Sequence, residues 1–264
     1  MFLGIDIGSS SSKVAIMDEN QELKAVAVVN KGTGTSGVTE ALDGAMGQVQ
    51  LKKEDIKYTV VTGYGRVTYQ EADKQITEIT CHAKGVTYML EDVGTIIDIG
   101  GQDAKVIRLN QKGEVENFVM NEKCAAGTGR FLEVMARVLG CELKDLSGLA
   151  QRSTKEVPIS SVCTVFAESE VISRLAAGEK IEDVAKGAHT AIGKRVSGMC
   201  NRVGIKEKIV MTGGVALNAD MVKTMGEALG KPVTAAPYPQ IAGAIGAAAF
   251  AYERYYRKGK KNER

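Results

Sequence analysis

Two short segments of the sequence carry acidic and basic residues at the same spacing. The first contains Asp6 and Lys13, and the second, 92 positions further on, contains Asp98 and Lys105, each with a glycine two residues after the aspartate. Glycine lets backbone amides approach a phosphate closely. Lysine supplies positive charge, and a carboxylate can hold Mg²⁺ or orient an attacking water. The segments therefore predict two phosphate-binding loops that act on one polyphosphate, although each alone could be a hairpin with a solubilising turn.

These loops supply most of the candidate nucleotide-contacting residues. In the first loop they are Asp6, Gly8, Ser9, Ser10, Ser11, Ser12 and Lys13, and in the second they are Gly100, Gly101 and Lys105. Asp98, Gln102 and Asp103 are the candidates for catalysis, as base or as the groups that orient water. A later segment, "MTGGVALN", contributes Gly213 and Gly214, against whose backbone an adenine or ribose could lie.

The elements around the loops repeat as well. Each half has a strand, a polar turn, a second strand and a hairpin into a third strand, and helical patterns follow in both, which favours an internal duplication. We predict an α/β fold of two lobes around a nucleotide cleft, over residues 1–90 and 91–240. A helix over 241–258 could pack back on the first lobe, and the basic tail 259–264 is expected to be disordered.

Charge and composition restrict the function classes. The chain has 264 residues and a net charge of +2, so nothing in it favours nucleic acid or a membrane surface. No apolar run approaches the roughly 20 residues that span a bilayer, and the first residues do not resemble a signal peptide. We expect a cytoplasmic protein whose five cysteines are thiols, metal ligands or redox groups rather than disulfides.

One competing motif is "GTGTSG", residues 32–37, which matches the dinucleotide-binding pattern G-x-G-x-x-G. That pattern belongs after the first strand of a βαβ unit, whereas here it follows the third strand of an expected antiparallel meander. We therefore reject the dinucleotide interpretation. The sequence has no G-K-[ST] and hence no P-loop.

Longer stretches of sequence resemble known families. "IDIGSSSSK", "IDIGGQDAK" and "MTGGVALN" resemble the phosphate and adenosine motifs of the superfamily of acetate and sugar kinases, heat-shock chaperone ATPases and actin. This resemblance implies a duplicated actin-like, ribonuclease H-like fold. "GTGTSG", "TGYGR", "NEKCAAGTGRFLEVMA" and "SSVCTVFAESEVIS" resemble the activators (component A) of the 2-hydroxyacyl-CoA dehydratases, in order and over nearly the whole chain.

The closer resemblance implies a specific activity. Members of that family are homodimeric ATPases with one [4Fe–4S] cluster that bridges the subunits. They take one electron from a ferredoxin or flavodoxin and pass it, with ATP hydrolysis, to a partner dehydratase. The resemblance also implies that Gln240, in "YPQIAGAIGA", reaches the nucleotide.

Cys124 and Cys163 occupy the positions of the family's cluster ligands. Both precede helical patterns, and the positive end of a helix favours a thiolate. A cluster of this kind takes four thiolates, which two chains related by a two-fold axis can supply. We expect Gly127 and Gly129 to open a helix that begins at Cys124, so that nucleotide binding could move this helix. The alternative is that both cysteines are buried core thiols, the interpretation we give Cys81, Cys141 and Cys200.

Two other functions use the same loops. A small-molecule kinase of the superfamily would need a pocket for a phosphate acceptor and would leave the paired cysteines idle. A nucleotide-dependent scaffold without electron transfer would keep them as core residues. Iron content separates both from an activator.

Overall fold

The computed structural model describes residues 1–160 and 163–262. The chain forms two compact units. The first consists of Met1–Val93, Leu109–Glu116 and the residues from Ala236 onward, and the second of Gly94–Arg108 and Asn117–Ala235. The first unit thus includes a short central segment and a C-terminal segment that begins before the expected helix at 241.

The strands and helices alternate in two similar series. The strands are β1 (Phe2–Ile7), β2 (Ser12–Met17), β3 (Leu23–Val29), β4 (Tyr58–Thr62), β5 (Lys74–Gln75), β6 (Thr95–Ile99), β7 (Ala104–Leu109), β8 (Val115–Asn121), β9 (Ile209–Thr212) and β10 (Val233–Ala235). The α-helices are α1 (Gly37–Gln48), α2 (Glu78–Met89), α3 (Gly129–Val138), α4 (Leu146–Gln151), α5 (Thr164–Ala176), α6 (Ile181–Val203), α7 (Ala219–Leu229) and α8 (Ala242–Asn262). None of the helices in the described ranges has the length and apolar character that crossing a bilayer would require.

The sheet of the first unit has the strand order β3-β2-β1-β4-β5. Strands β1, β2 and β3 form an antiparallel meander, and β4 runs parallel to β1. All six residues of β1 are buried, because helices cover both faces of the sheet. Leu3, Ile5 and Ile7 pack towards α1, while Phe2 packs towards α2 and α8.

Helix α8 crosses α2 at very short range within the first unit. A Cβ atom at Gly85 would lie 1.8 Å from the carbonyl oxygen of Ala242, and one at Gly246 would lie 1.8 Å from that of Cys81. Only glycine permits this approach of the two backbones. The helix continues to Asn262 because no proline interrupts it, so residues 259–262 are helical where a disordered tail was expected. The last two residues of that tail lie outside the described residues.

The second unit repeats this arrangement with the order β10-β9-β6-β7-β8. Strand β6 pairs antiparallel with β7 and parallel with β9. The core joins the sheet to α3, α4, α5, α6 and α7. In α3 the predicted apolar face is present, with Phe131, Leu132 and Met135 buried, and Gly140 follows the helix at φ +67°. The two units confirm the duplicated α/β fold class.

Candidate functional site

The first candidate loop joins β1 to β2. Asp6 and Lys13 are direct partners in the strand register. The Lys13 Nζ lies 3.3 Å from the Asp6 carboxylate, and Asp6 is only 4% exposed. The Gly8 amide donates to the Ser11 carbonyl at 2.9 Å, which closes the turn between the strands. The ion pair of Asp6 and Lys13 therefore lies next to the turn, at the end of β1.

The four serines of this loop differ in their surroundings. Ser9, Ser10 and Ser11 are half-buried, whereas Ser12 is fully buried and its hydroxyl donates to the Lys31 carbonyl at 2.8 Å. The Ser12 hydroxyl proton is therefore used within the fold, whereas the contact of the other three serines with a nucleotide stays a prediction.

The second candidate loop joins β6 to β7 and repeats this geometry with one extra charge. Asp98 and Lys105 are register partners 3.0 Å apart, and both are buried. Lys105 also contacts Asp103 at 2.6 Å, and the Thr212 hydroxyl donates to the Asp98 Oδ1 at 2.8 Å. The Gly100 amide donates to the Asp103 carbonyl, as Gly8 does to Ser11.

The charge balance of the two loops therefore differs. The first loop holds one carboxylate for one ammonium group, and the second holds two carboxylates for one. The surplus negative charge and the hard oxygen ligands of the second loop suit Mg²⁺. Gln102 is exposed beside them, so its side chain is accessible to a ligand.

Each loop accepts a backbone hydrogen bond from a glycine-rich segment later in the chain. The Thr33 amide, in "GTGTSG", donates to the Gly8 carbonyl at 2.9 Å, and the Gly129 amide donates to the Gly100 carbonyl at 2.8 Å. A Cβ atom at Gly32 would lie 1.9 Å from the Ser9 carbonyl oxygen. Because β3 is the third strand of an antiparallel meander, the rejection of a dinucleotide fingerprint at 32–37 agrees with the topology.

A second pair of glycines follows the strands parallel to β1 and β6. In the register, Thr62 of β4 lies beside Asp6, and Thr212 of β9 lies beside Asp98. The next residues, Gly63 and Gly213, have φ values of +87° and +84°. A Cβ atom at Gly213 would lie 2.2 Å from the Ile99 carbonyl oxygen. The equivalence of these two segments was not predicted from the sequence. The Thr-Gly pair that both contain was the available signal.

The predicted start of the helix after Cys124 is wrong. Helix α3 begins at Gly129, five residues later, because Gly127 adopts φ +84° and interrupts helical geometry. The Gly129 and Arg130 amides donate to the carbonyls of Gly100 and Gly101 at 2.8 and 2.7 Å. The first turn of α3 is therefore bonded to the second loop, and its amides are not directed at the Cys124 thiol.

The five cysteines fall into two groups. Cys163 is exposed at the N-cap of α5, and Cys124 is partly exposed. Burial raises the pKa of the Cys81 and Cys200 thiols to about 12 and also raises that of Cys141, which disfavours the thiolate that binds metal. Within residues 1–160 and 163–262 no group of three or more histidine, cysteine or acidic side chains could hold a metal ion. Cys141 is half-buried like Cys124, so the expectation that it is a buried core thiol is wrong. Cys124 and Cys163 fit a cluster only as half of its four ligands.

The segment "MTGGVALN", residues 211–218, ends at a buried polar network that was not predicted from the sequence. His189, fully buried in α6, lies 2.6 Å from the Asp220 carboxylate through Nδ1 and 3.2 Å from the Asn218 amide through Nε2. Asn218 caps α7 through the Met221 amide. Burial opposes ionisation of Asp220, but His189 and Lys186 outweigh it and hold its pKa below the ordinary value. Histidine and aspartate 31 positions apart gave no local signal.

The candidate site residues are divided between the two units. The second unit holds Asp98, Gly100, Gly101, Gln102, Asp103, Lys105, Gly127, Gly129, Gly213, Gly214, Cys124 and Cys163, and the first holds Asp6 to Lys13 and Gln240. Gln240 is half-buried in a short 3₁₀ helix before α8, in the first unit rather than at the end of the second.

Comparisons with known proteins identify relatives of the whole chain. The activator of lactoyl-CoA dehydratase from Anaerotignum propionicum is 53% identical over 256 residues, covering 97% of this chain and 99% of the relative. The structure of the activator of 2-hydroxyisocaproyl-CoA dehydratase from Clostridium difficile with bound ADPNP superimposes with a TM-score of 0.96 at 46% identity, covering 99% of this chain and 98% of that one. A ROK family glucokinase from Streptomyces griseus, at 12% identity, a TM-score of 0.59 and coverage of 96% and 99%, shares the fold alone.

A family model gives the same assignment from the sequence. The model described as the BadF/BadG/BcrA/BcrD ATPase family matches residues 3–251, nearly the whole chain. The matched range contains both loops, Gly63 and Gly213, and Cys124 and Cys163. The chain therefore belongs to the BadF/BadG/BcrA/BcrD ATPase family and is an ATPase.

Proposed function

We propose that this ATPase activates a 2-hydroxyacyl-CoA dehydratase by ATP-dependent transfer of one electron. The similar proteins from A. propionicum and C. difficile are named as activators of such dehydratases. The observation that carries the proposal is the hydrogen-bonded connection between the second loop and the segment that follows Cys124. It would connect the proposed ATP-binding loop directly to a cysteine that would hold a redox group.

Within each unit, the loop between the first two strands would contact phosphate through its lysine. Lys13 and Lys105 would neutralise phosphate charge, and Asp98 and Asp103 would hold Mg²⁺ through their oxygens. When bound, Mg²⁺ would neutralise charge that develops on the phosphates. The Thr212 hydroxyl fixes the orientation of Asp98, so this carboxylate is positioned before the nucleotide arrives. Gln102, which is exposed, is our candidate to orient the attacking water.

Cys124 and Cys163 would hold a [4Fe–4S] cluster shared with a second copy of the chain. Each copy would supply two of four thiolates. Val165, Phe166 and Ile172 are 66%, 68% and 54% exposed on the helix that begins beside Cys163, and such an apolar surface favours burial against a partner. When bound, the cluster would supply one-electron chemistry between a ferredoxin or flavodoxin and the dehydratase.

A small-molecule kinase would use the same two loops without the cysteines. It would need no iron and no partner protein. The experiment is to purify the protein without oxygen and to measure iron, sulfide, the visible spectrum and mass in solution. We expect about four irons per dimer, loss of iron in Cys124→Ser and Cys163→Ser, and retention of iron in Cys141→Ser, since Cys141 is not one of the two proposed ligands.

An iron-free, colourless monomer that hydrolyses ATP would contradict the activator proposal and favour the kinase. Iron retained by both Cys124→Ser and Cys163→Ser would contradict the assignment of ligands.

A further inference from the structure

The Asn121 side chain bonds to two carbonyl groups at one end of the segment that carries Cys124. Asn121 is the last residue of β8, and its Nδ2 donates to the Cys124 carbonyl at 2.8 Å and to the Ala126 carbonyl at 3.2 Å. One amide group therefore fixes the position of residues 124–126 relative to the end of a strand. Neither bond involves the Cys124 thiol, which leaves the sulfur available to a ligand.

The other end of the same segment is bonded to the second loop. The Thr128 amide and hydroxyl both donate to the Ala125 carbonyl, at 3.1 and 2.7 Å, which closes a turn. The next two amides, of Gly129 and Arg130, donate to the loop carbonyls of residues 100 and 101. Residues 124–130 thus form one hydrogen-bonded connection, with the second loop at one end and Asn121 at the other.

We propose that Asn121 is a positioning residue through which the nucleotide state of the second loop determines the position of Cys124. This inference rests on the proposed function and deepens it. When the loop carbonyls shift, the backbone from Arg130 to Ala125 must shift with them, and Asn121 makes the turn move as a unit about the end of β8. Without the Asn121 amide, the turn can reorganise locally and Cys124 does not follow the loop.

The test measures hydrogen exchange in the full-length, iron-loaded protein, with and without a non-hydrolysable ATP analogue. Two peptides are followed, one containing residues 100 and 101 and one containing residues 124–130. In the original protein we expect the analogue to slow exchange in both. The variant Asn121→Asp keeps the side-chain shape but removes the donor, and should abolish the slowing at 124–130 while that at 100–101 remains. Without nucleotide, its segment should exchange roughly thirtyfold faster, as expected for two lost hydrogen bonds of typical strength.

The matched control is Asn117→Asp, the same change on the same strand. Asn117 is exposed, and its Oδ1 accepts a hydrogen bond from the adjacent Phe118 amide rather than from the Cys124 segment. Hydrogen exchange in Asn117→Asp should equal that in the original protein in both peptides. Asn121→Ala and Asn117→Ala repeat the comparison without a charge change, so a folding defect of Asn121→Asp does not decide the result.

The outcomes separate this inference from the proposed function. If the analogue leaves residues 100–101 unchanged in the original protein, the proposed nucleotide site is wrong. If it protects 100–101 but not 124–130, or protects 124–130 equally in the Asn121 variants, only the role of Asn121 is overturned.

Discussion

The duplicated loops provide a matched pair of substitutions, Thr212→Val and Thr62→Val. Both threonines are fully buried at the same register position beside an aspartate. The Thr212 hydroxyl donates to Asp98 at 2.8 Å. The Thr62 hydroxyl makes no such bond to Asp6 and lies instead beside the Cys81 thiol. Valine has the shape of threonine, so each change removes mainly a hydroxyl group.

The expected magnitudes follow from these contacts. A hydrogen bond to a charged group contributes about 1.5–3 kcal/mol, and its loss leaves a buried carboxylate short of a donor. Thr212→Val should therefore lower the free energy of unfolding of the second unit by that amount. At about 1.4 kcal/mol per factor of ten, the unfolding equilibrium changes by about ten- to a hundredfold. Thr62→Val removes a hydroxyl that faces a neutral thiol rather than a charged group, so the first unit should change by less than about 0.5 kcal/mol.

Native-state hydrogen exchange measures the two units separately, through the amides of β6 and β1. Because Asp98 is also a candidate for the reaction, ATP hydrolysis should fall in Thr212→Val and not in Thr62→Val. Equal destabilisation by the two changes, or a neutral Thr212→Val, would refute the reasoning that the hydroxyl holds Asp98 in place.

Three further predictions test other parts of the structure. Gly213→Ala should cost more than about 2 kcal/mol in thermal unfolding, since the residue has a left-handed φ and its Cβ would meet the Ile99 carbonyl oxygen at 2.2 Å; a neutral change would contradict this. Asp220 has a lowered pKa, so its stabilisation is complete above the unfolded pKa of about 3.9 and is lost below it. The difference in unfolding free energy between the original protein and Asp220→Asn should therefore narrow in urea titrations below about pH 4 and stay constant above pH 5. In reduced, iron-free protein, iodoacetamide should modify Cys124 and Cys163 well before Cys200, as mass spectrometry would show; earlier reaction of Cys200 would contradict the burial described.

The sequence was sufficient for the strands that carry the two loops. Alternating apolar residues and the constant offset of 92 positions predicted β1, β2, β6 and β7, and the register pairs Asp6 with Lys13 and Asp98 with Lys105 in the same way in both units. Such short-range pairing is set by the side-chain period of a strand and by the turn between strands, both of which are local properties.

The equivalence of Thr62 and Thr212 was not predictable in the same way. These residues lie 150 positions apart rather than 92, because the second unit inserts several helices between the strands that become parallel neighbours. The position of a parallel strand depends on how the crossover packs, which no short window of sequence contains.

The network of His189, Asp220 and Asn218 depends on the packing of α6 against α7, and the start of α3 depends on the conformation of Gly127. The sequence pattern from Cys124 onward resembles a helix start, but a left-handed glycine three residues later delays it. Long-range packing and a single backbone angle therefore account for these two differences.

The contribution of α8 to the first unit has a consequence for synthesis on the ribosome. One face of the first sheet is covered by residues from both ends of the chain, so that Phe2 shares a core with Ile245 and Ala248. Until that last helix has left the exit tunnel, this apolar face has no cover and is open to chaperones or to aggregation. The second unit has its core between Ile97 and Val233, all of which emerges earlier. The unit translated first is therefore expected to be the last to complete its fold.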